Sequence, residues 1–276
     1  MTRHAALAAL LLAAVSAPVL AEDCQHSAPR SLDLDFDGVR TVMFDVGPHT
    51  LRVDAGPAAT GQVEGRACAS DEGRLQALTL EAARDGDKLV VRLGHDSNWS
   101  GISLGKRYAY MTLDASVPAD VLVQLQVGSG DARVTGASAA SADVGSGDAE
   151  LLRIAGRVTA KVGSGDVEVD DAGALHVLSI GSGDLEAANV RGEVEVGSIG
   201  SGDFTLRGAA GDVSIRSIGS GDADLADVAG SVDVGSVGSG DLDAHRIGGD
   251  LRVGSVGSGD LDHSGVAGRV EVPRKR

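Results

Sequence analysis

Along the second half of the chain, apolar and polar residues alternate in short bursts that return in fixed columns. After Asp203 the apolar set is Phe204, Leu206, Ala209, Val213, Ile215 and Ile218; after Asp222 it is Ala223, Leu225, Val228, Val232, Val234 and Val237. After Asp241 the same places hold Leu242, Ala244, Ile247, Leu251, Val253 and Val256. Within each burst the period is two, which puts alternate side chains on opposite faces of a strand and matches no helical stripe. Each unit therefore predicts two or three very short strands joined by glycine turns, with about six small apolar side chains pointing one way.

The units are punctuated by the tetrapeptide GSGD, which occurs eight times and ends in Asp131, Asp148, Asp166, Asp184, Asp203, Asp222, Asp241 and Asp260, at spacings of 17, 18, 18, 19, 19, 19 and 19. One unit cannot bury its own apolar face. Stacked units, with strands hydrogen-bonded about 4.8 Å apart, enclose a continuous interior. The expected fold is all-β: a parallel β-helix (solenoid) of about eight GSGD repeats of 17 to 19 residues. Eight rungs at that spacing make a rod of roughly 40 Å.

Residues 22–126 lack the signature but contain alternating segments, Leu32–Phe36, Leu78–Ala82, Leu89–Leu93 and Val121–Val127, that also read as strands. Pro118 lies in the turn that introduces the last of them, which runs into Gly128 without a linker. Residues 22–126 are thus an irregular β region that starts and caps the solenoid, protecting strand edges that would otherwise be open. Residues 127–272 form the repeat β-helix, and Pro273 stops its last strand ahead of a basic tail over 273–276. Asn98, Trp99 and Ser100 match the acceptor pattern for N-glycosylation, with Trp99 expected in a loop or cap contact.

At the other end, Thr2, Arg3 and His4 lead into an apolar run from Ala5 to Val15, and small residues precede Glu22. This is the pattern of a secretory signal peptide over residues 1–21. Asp23, before Cys24, does not suit a lipoprotein signal. Cys24 and Cys68 are the two cysteines, and an exported chain enters a compartment where a disulfide between them persists. No other apolar run reaches about 18 residues, so no transmembrane segment is expected. The protein is read as exported, periplasmic or extracellular.

Composition refines this picture. Glycine supplies 40 of 276 residues, about twice its usual share; corners with positive φ and close approach of neighbouring rungs account for the excess. A formal charge of −16 with 2% aromatic residues leaves neither the clustered cations nor the stacking surfaces of a nucleic-acid binder. The 42% hydrophobic content excludes a disordered acidic chain. Residues 127–272 hold 24 Asp and Glu against 10 Lys and Arg.

In a stacked solenoid the GSGD aspartates form one column of carboxylates. Glu150, Glu168, Glu186, Asp224, Asp243 and Asp262 form a second, interrupted by Arg133 and Thr205. Like charges about 4.8 Å apart repel by roughly 0.9 kcal/mol even at the dielectric of water. Two arrangements would offset this. The aspartates can accept hydrogen bonds from nearby backbone amides in Asx-type turns. Alternatively Ca²⁺ ions can sit between carboxylates of successive rungs, with Asp184, Asp203, Asp222, Asp241 and Asp260 as candidate ligands. Calcium-binding nonapeptide β-rolls place an acidic turn every nine residues, whereas the second turn here reads Ala209-Ala210-Gly211, Val228-Ala229-Gly230 or Ile247-Gly248-Gly249, with no acid at fixed register.

No catalytic constellation is expected. A glycosidase needs two carboxylates in unlike environments, and these occur as equivalent columns, with Phe204 the single aromatic residue of the repeat segment. His176, His245 and His263 pair with no nucleophile.

The stretch from Val117 to Gly136, followed by further GSGD strands, resembles the bacterial putative-adhesin, β-strand-repeat domains of unknown function, which are similar to the head domains assigned to auto-transporter adhesins. The resemblance implies a β-helical envelope protein. The sequence as read departs from an auto-transporter in one respect, since no room for a membrane barrel is expected after residue 272. The functional expectation is a non-catalytic exported cell-envelope protein with a structural or adhesive role and envelope or surface components as partners. A Ca²⁺-dependent binding module and a carbohydrate-active β-helix enzyme are the alternatives, and no cofactor other than Ca²⁺ is entertained.

Overall fold

In the strand Phe204–Ala209, Phe204 and Leu206 point inward and Thr205 and Arg207 outward; Gly208 then takes a left-handed turn, φ +84°, that brings Ala209 back to the interior. Ala210, Gly211 and Asp212 make a corner, Val213–Ile218 repeats the alternation, and Gly219–Asp222 closes the coil beneath Ala223. The parallel ladder sets Phe204 against Ala223, Leu206 against Leu225 and Val213 against Val232. This computed structural model describes residues 24–95 and 107–273. The segment 1–21, the Asn98-Trp99-Ser100 pattern and the basic residues Arg274, Lys275 and Arg276 lie outside the described residues.

The protein is a parallel β-solenoid of about eight turns, each of roughly 19 residues, with two strands per coil. Six inward columns fill the interior with side chains no more than 3% exposed in the coil 204–218. Volumes compensate along a column: Phe204, the largest residue of its column, stacks between Leu185 and Ala223. That close packing leaves no room to add or remove a methylene without cost.

Two backbone features shape the corners. The fifth residue of the first strand lies in the left-handed region in coil after coil: Arg153, Asp171, Asn189, Gly208, Asp227, Arg246 and Gly265 have φ between +52° and +84°. The GSGD glycines, by contrast, are not left-handed; of the two reasons expected for glycine, positive φ and close approach of neighbouring rungs, only the second applies to them. Contact explains them. A Cβ placed on Gly202 would stand 1.8 Å from the carbonyl oxygen of Gly183, and one on Gly221 would stand 1.9 Å from that of Gly202. Successive corners nest backbone on backbone, so any side chain there would prop the coils apart.

The N-terminal region comprises β1 (His26–Asp33), β2 (Thr41–Gly47), β3 (Thr50–Gly56), β4 (Gln62–Ala69), helix α1 (Glu72–Gln76), β5 (Leu78–Asp85), β6 (Lys88–His95) and β7 (Ala109–Pro118). Its strands do more than cap. β2 and β3 pair in parallel with Leu122–Val127 and Asp131–Thr135 on one side, and with β6 and β7 on the other. They are a coil, and β6 with β7 is another. The first coil in the chain thus lies second in the stack. Its corner, Gly47-Pro48-His49-Thr50, takes the place of GSGD, with Thr50 beside Asp131. His49 is 1% exposed there, and its Nδ1 accepts the amide of Met111 at 3.2 Å.

Antiparallel strands close this end: β5 covers β6, β4 covers β7, and β1 pairs with β4. Asp71 caps α1 by accepting the amide of Arg74 at 3.0 Å, and Arg30 of β1 ties α1 down by donating to the carbonyls of Leu75 at 2.9 Å and Leu78 at 3.1 Å. Cys24 and Cys68 are joined as a disulfide, Cα atoms 5.7 Å apart, at the start of β1 and the end of β4. The alternating segment Leu32–Phe36 is only partly strand. β1 ends at Asp33, and Leu34 and Phe36 owe their apolar character to packing on the core from the following loop.

Candidate functional site

The first strand of every coil carries its outward positions to one flank, and both carboxylate columns lie on it. The GSGD aspartates sit at the corner that enters this strand. From Asp148 to Asp241, each carboxylate accepts the backbone amide of the aspartate one coil on: Asp184 Oδ1 from Asp203 at 2.9 Å, Asp203 from Asp222 at 2.9 Å, Asp222 from Asp241 at 2.8 Å and Asp241 from Asp260 at 2.7 Å. Asp148 and Asp166 do the same at 3.3 and 3.2 Å. These bonds differ from Asx turns, which are local; here they run up the stack. A hydrogen bond to a charged acceptor contributes about 1.5–3 kcal/mol, enough to offset the repulsion between rungs.

The second column is continuous in register: Arg133, Glu150, Glu168, Glu186, Thr205, Asp224, Asp243 and Asp262 are successive partners. Arg133 forms an ion pair with Glu150. Further up, no cation intervenes in the column, and Asp243 is held above the usual carboxylate range by burial first and then by the charges of Asp224 and Asp262. Between the columns runs a shallow groove of about 340 Å³, lined by Asp148, Glu150, Asp166, Glu168, Asp184 and Glu186.

The left-handed column carries cross-coil ion pairs. Arg246 grips Asp227 with two bonds, at 2.5 and 2.8 Å, which lowers the Asp227 pKa. Arg191 spans three coils, reaching Asp171 at 2.5 Å and the carbonyls of Ile154 and Ala155 at 2.9 and 3.1 Å. The second corner does have acids in register, contrary to the sequence reading. Asp212 accepts the amide of Ser231 at 2.8 Å, Ser231 Oγ that of Asp250 at 3.1 Å, and Asp250 that of Arg269 at 2.7 Å. Asp212 and Asp250 here do what the GSGD aspartates do opposite.

Among the described residues no three His, Cys, Asp or Glu side chains gather in a metal-holding group. His245 bonds Ser264 at 2.9 Å, and His263 occupies the inward column above Ala244. Among the described residues no helix is long and apolar enough to cross a membrane.

Residues 69–267, which include every GSGD coil, match the family described as "Putative auto-transporter adhesin, head GIN domain". The chain belongs to this family. Solved structures with a similar course include a putative adhesin from Parabacteroides merdae, 16% identical over 91% of this chain and 97% of that one, TM-score 0.42. A putative adhesin from Bacteroides fragilis is 13% identical over 90% and 98%, TM-score 0.42. A putative lipid binding protein from Parabacteroides distasonis is 15% identical over 89% and 97%, TM-score 0.34. No curated protein matches the chain.

Proposed function

We propose that this member of the adhesin-head family is a non-catalytic, exported cell-envelope protein whose acidic flank adheres to basic surface components. The observation that carries this reading is the second carboxylate column. Its Glu and Asp side chains project at a fixed rise of about 4.8 Å, and the GSGD carboxylates behind them are already engaged with amides. A rigid line of like charges presents a strong field to a cationic surface and steers its approach. The column repeats one outward position coil after coil, which favours binding to an extended surface over catalysis by a single pair of carboxylates.

The test is adhesion of beads coated with the full chain to surfaces bearing lysine-rich protein, compared with the variant Glu150→Gln, Glu168→Gln, Glu186→Gln, Asp224→Asn, Asp243→Asn. Adhesion should fall at least about tenfold in the variant and decline with salt. Equal adhesion by both proteins refutes the reading. Release of reducing ends from a polysaccharide would replace it with the enzymatic one.

A further inference from the structure

The outward column that carries the acids of the flank reverses sign at its base. Followed through the inserted coil, its successive partners are Asp114, Arg52, Arg133 and Glu150. Arg52 and Arg133 lie opposite each other across one step of the ladder, about 4.8 Å apart in the backbone, and two guanidinium groups at that spacing repel. Each leans on an acid on its far side: Arg133 pairs with Glu150, and Arg52 stands 4.0 Å from Asp114. In register, no anionic residue of the column comes between them. The Arg52 side chain is 56% exposed and that of Arg133 47%.

The corner column changes at the same level. Its carboxylate-to-amide ladder begins at Asp148, which accepts the amide of Asp166 at 3.3 Å. The Asp148 amide goes to the carbonyl of Gly130 at 3.2 Å, so the Asp131 carboxylate stands outside the ladder. Thr50, one coil below Asp131, brings a hydroxyl and no charge. Between the two columns lies a groove of about 300 Å³, lined by Thr50, Arg52, Asp131, Arg133, Asp148 and Glu150. Its three rungs read Thr50 with Arg52, Asp131 with Arg133, and Asp148 with Glu150, so the groove runs from a positive end to a negative one.

We propose that this groove binds a short peptide with both ends free, its carboxylate between Arg52 and Arg133 and its ammonium on Asp131 and Asp148. A lone anion would meet the acids of the upper rungs, and a lone cation would meet the arginine pair; a zwitterion satisfies both. A carboxylate bridging the two guanidinium groups takes a charge-assisted hydrogen bond from each and offsets their repulsion. Three rungs span about 10 Å, so the charges of the ligand must stand about 5–10 Å apart. A single amino acid, about 3.5 Å long, is too short, whereas two residues, about 7 Å, reach. The groove is at the small end for ligand sites and its walls are exposed, which sets binding in the millimolar range. The site does not rest on adhesion by the acidic flank.

Titration of the isotope-labelled full chain with diglycine at neutral pH, followed by nuclear magnetic resonance, tests this. Amide signals of 50–52, 131–133 and 148–150 should shift and saturate within about 50 mM. N-acetyl-diglycine, which lacks the ammonium, diglycine amide, which lacks the carboxylate, and glycine should each bind at least about tenfold more weakly. In the double variant Arg52→Gln, Arg133→Gln, diglycine should fall to the level of diglycine amide, because nothing then reads the carboxylate. Should that variant fail to fold, the ranking of the four ligands on the unaltered protein decides. No saturable shift, shifts centred elsewhere, equal binding of the four ligands, or a folded variant that still prefers diglycine to its amide each overturns the proposal. Glu186→Gln, Asp224→Asn and Asp243→Asn together should weaken adhesion and leave diglycine binding in place, so the two readings fail separately.

Discussion

Replacing Gly202 by Ala adds one methyl group where the structure has no space. The new Cβ would stand 1.8 Å from the Gly183 carbonyl oxygen and 2.8 Å from its carbon, so the corner must open by more than about an ångström to reach ordinary contact. The obstacle is backbone on both sides, and no side chain can swing away. Three cross-coil bonds converge there: Ser201 N to Gly181 O at 2.8 Å, Gly202 N to Gly181 O at 3.1 Å and Asp203 N to Asp184 Oδ1 at 2.9 Å. Stretching them past bonding range forfeits about 1 kcal/mol for each of the two backbone bonds and about 1.5–3 kcal/mol for the bond to the Asp184 carboxylate, and the residual overpacking adds about 1–2 kcal/mol, for a total of roughly 4.5–7 kcal/mol. Two other glycines separate this effect from conformational strain. Gly86→Ala, at φ +63° with nothing within 4 Å, bears only the left-handed penalty of about 1–2 kcal/mol; Gly56→Ala, in open space, bears neither. Urea unfolding at 25 °C followed by far-UV circular dichroism gives the three values side by side. If Gly202→Ala is destabilised no more than Gly86→Ala, backbone nesting is not what requires glycine in GSGD.

Three further outcomes follow from the same geometry. Arg153, at φ +52°, bears a strain that glycine does not, so Arg153→Gly should raise stability by roughly 0.5–1 kcal/mol; a lower thermal midpoint would contradict this. Because Asp243 is held above its ordinary 3.8 by burial and by Asp224 and Asp262, its ionised form opposes folding. That penalty is absent below pH 3.8 and complete once the pH exceeds the raised value, so Asp243→Asn should stabilise by about 0.5–1 kcal/mol at pH 7 and by nothing near pH 3. Thermal melts of both proteins at the two pH values would expose a gain of the opposite sign or one that is independent of pH. Finally, with Asp184, Asp203, Asp222 and Asp241 each holding an amide, millimolar Ca²⁺ against EDTA at matched ionic strength should leave the unfolding midpoint in place. A gain near 2.7 kcal/mol, as expected for a site saturated a hundredfold, abolished by Asp222→Asn and Asp241→Asn, would make the column a cation site.

The solenoid was legible because its six inward columns repeat at constant spacing; Phe204, Leu206, Ala209, Val213, Ile215 and Ile218 are read directly as the core of one coil. The second acidic column was legible for the same reason, down to its interruptions at Arg133 and Thr205. Three features were not. The left-handed column holds Arg153, Asp171, Asn189, Gly208, Asp227, Arg246 and Gly265, so coil closure imposes the conformation and no shared residue type announces it, although Asn, Asp and Gly predominate as the residues that tolerate it best. The aspartate-to-amide bonds link residues 18 or 19 apart, which only the pitch of the stack brings together. The coil of β2 and β3 was missed because its corner reads Gly47-Pro48-His49-Thr50 and its partners are remote: Thr50 pairs with Thr112 and with Asp131.

That misplaced coil bears on how the molecule assembles. A ladder whose neighbours are 17 to 19 residues apart closes small loops and can zip quickly from coil to coil. β2 and β3 cannot begin that way, because they are sandwiched between strands formed from residues 88–118 and 122–135. During synthesis the first coil to emerge must wait for about sixty more residues before one of its faces is covered and for about eighty before both are. Once it is clamped, each newly released repeat finds a finished edge to join. The stack therefore has a slow start and a fixed direction of growth, and faults near the N-terminal clamp should delay folding of the whole rod, while faults in the last coils should leave the earlier ones intact.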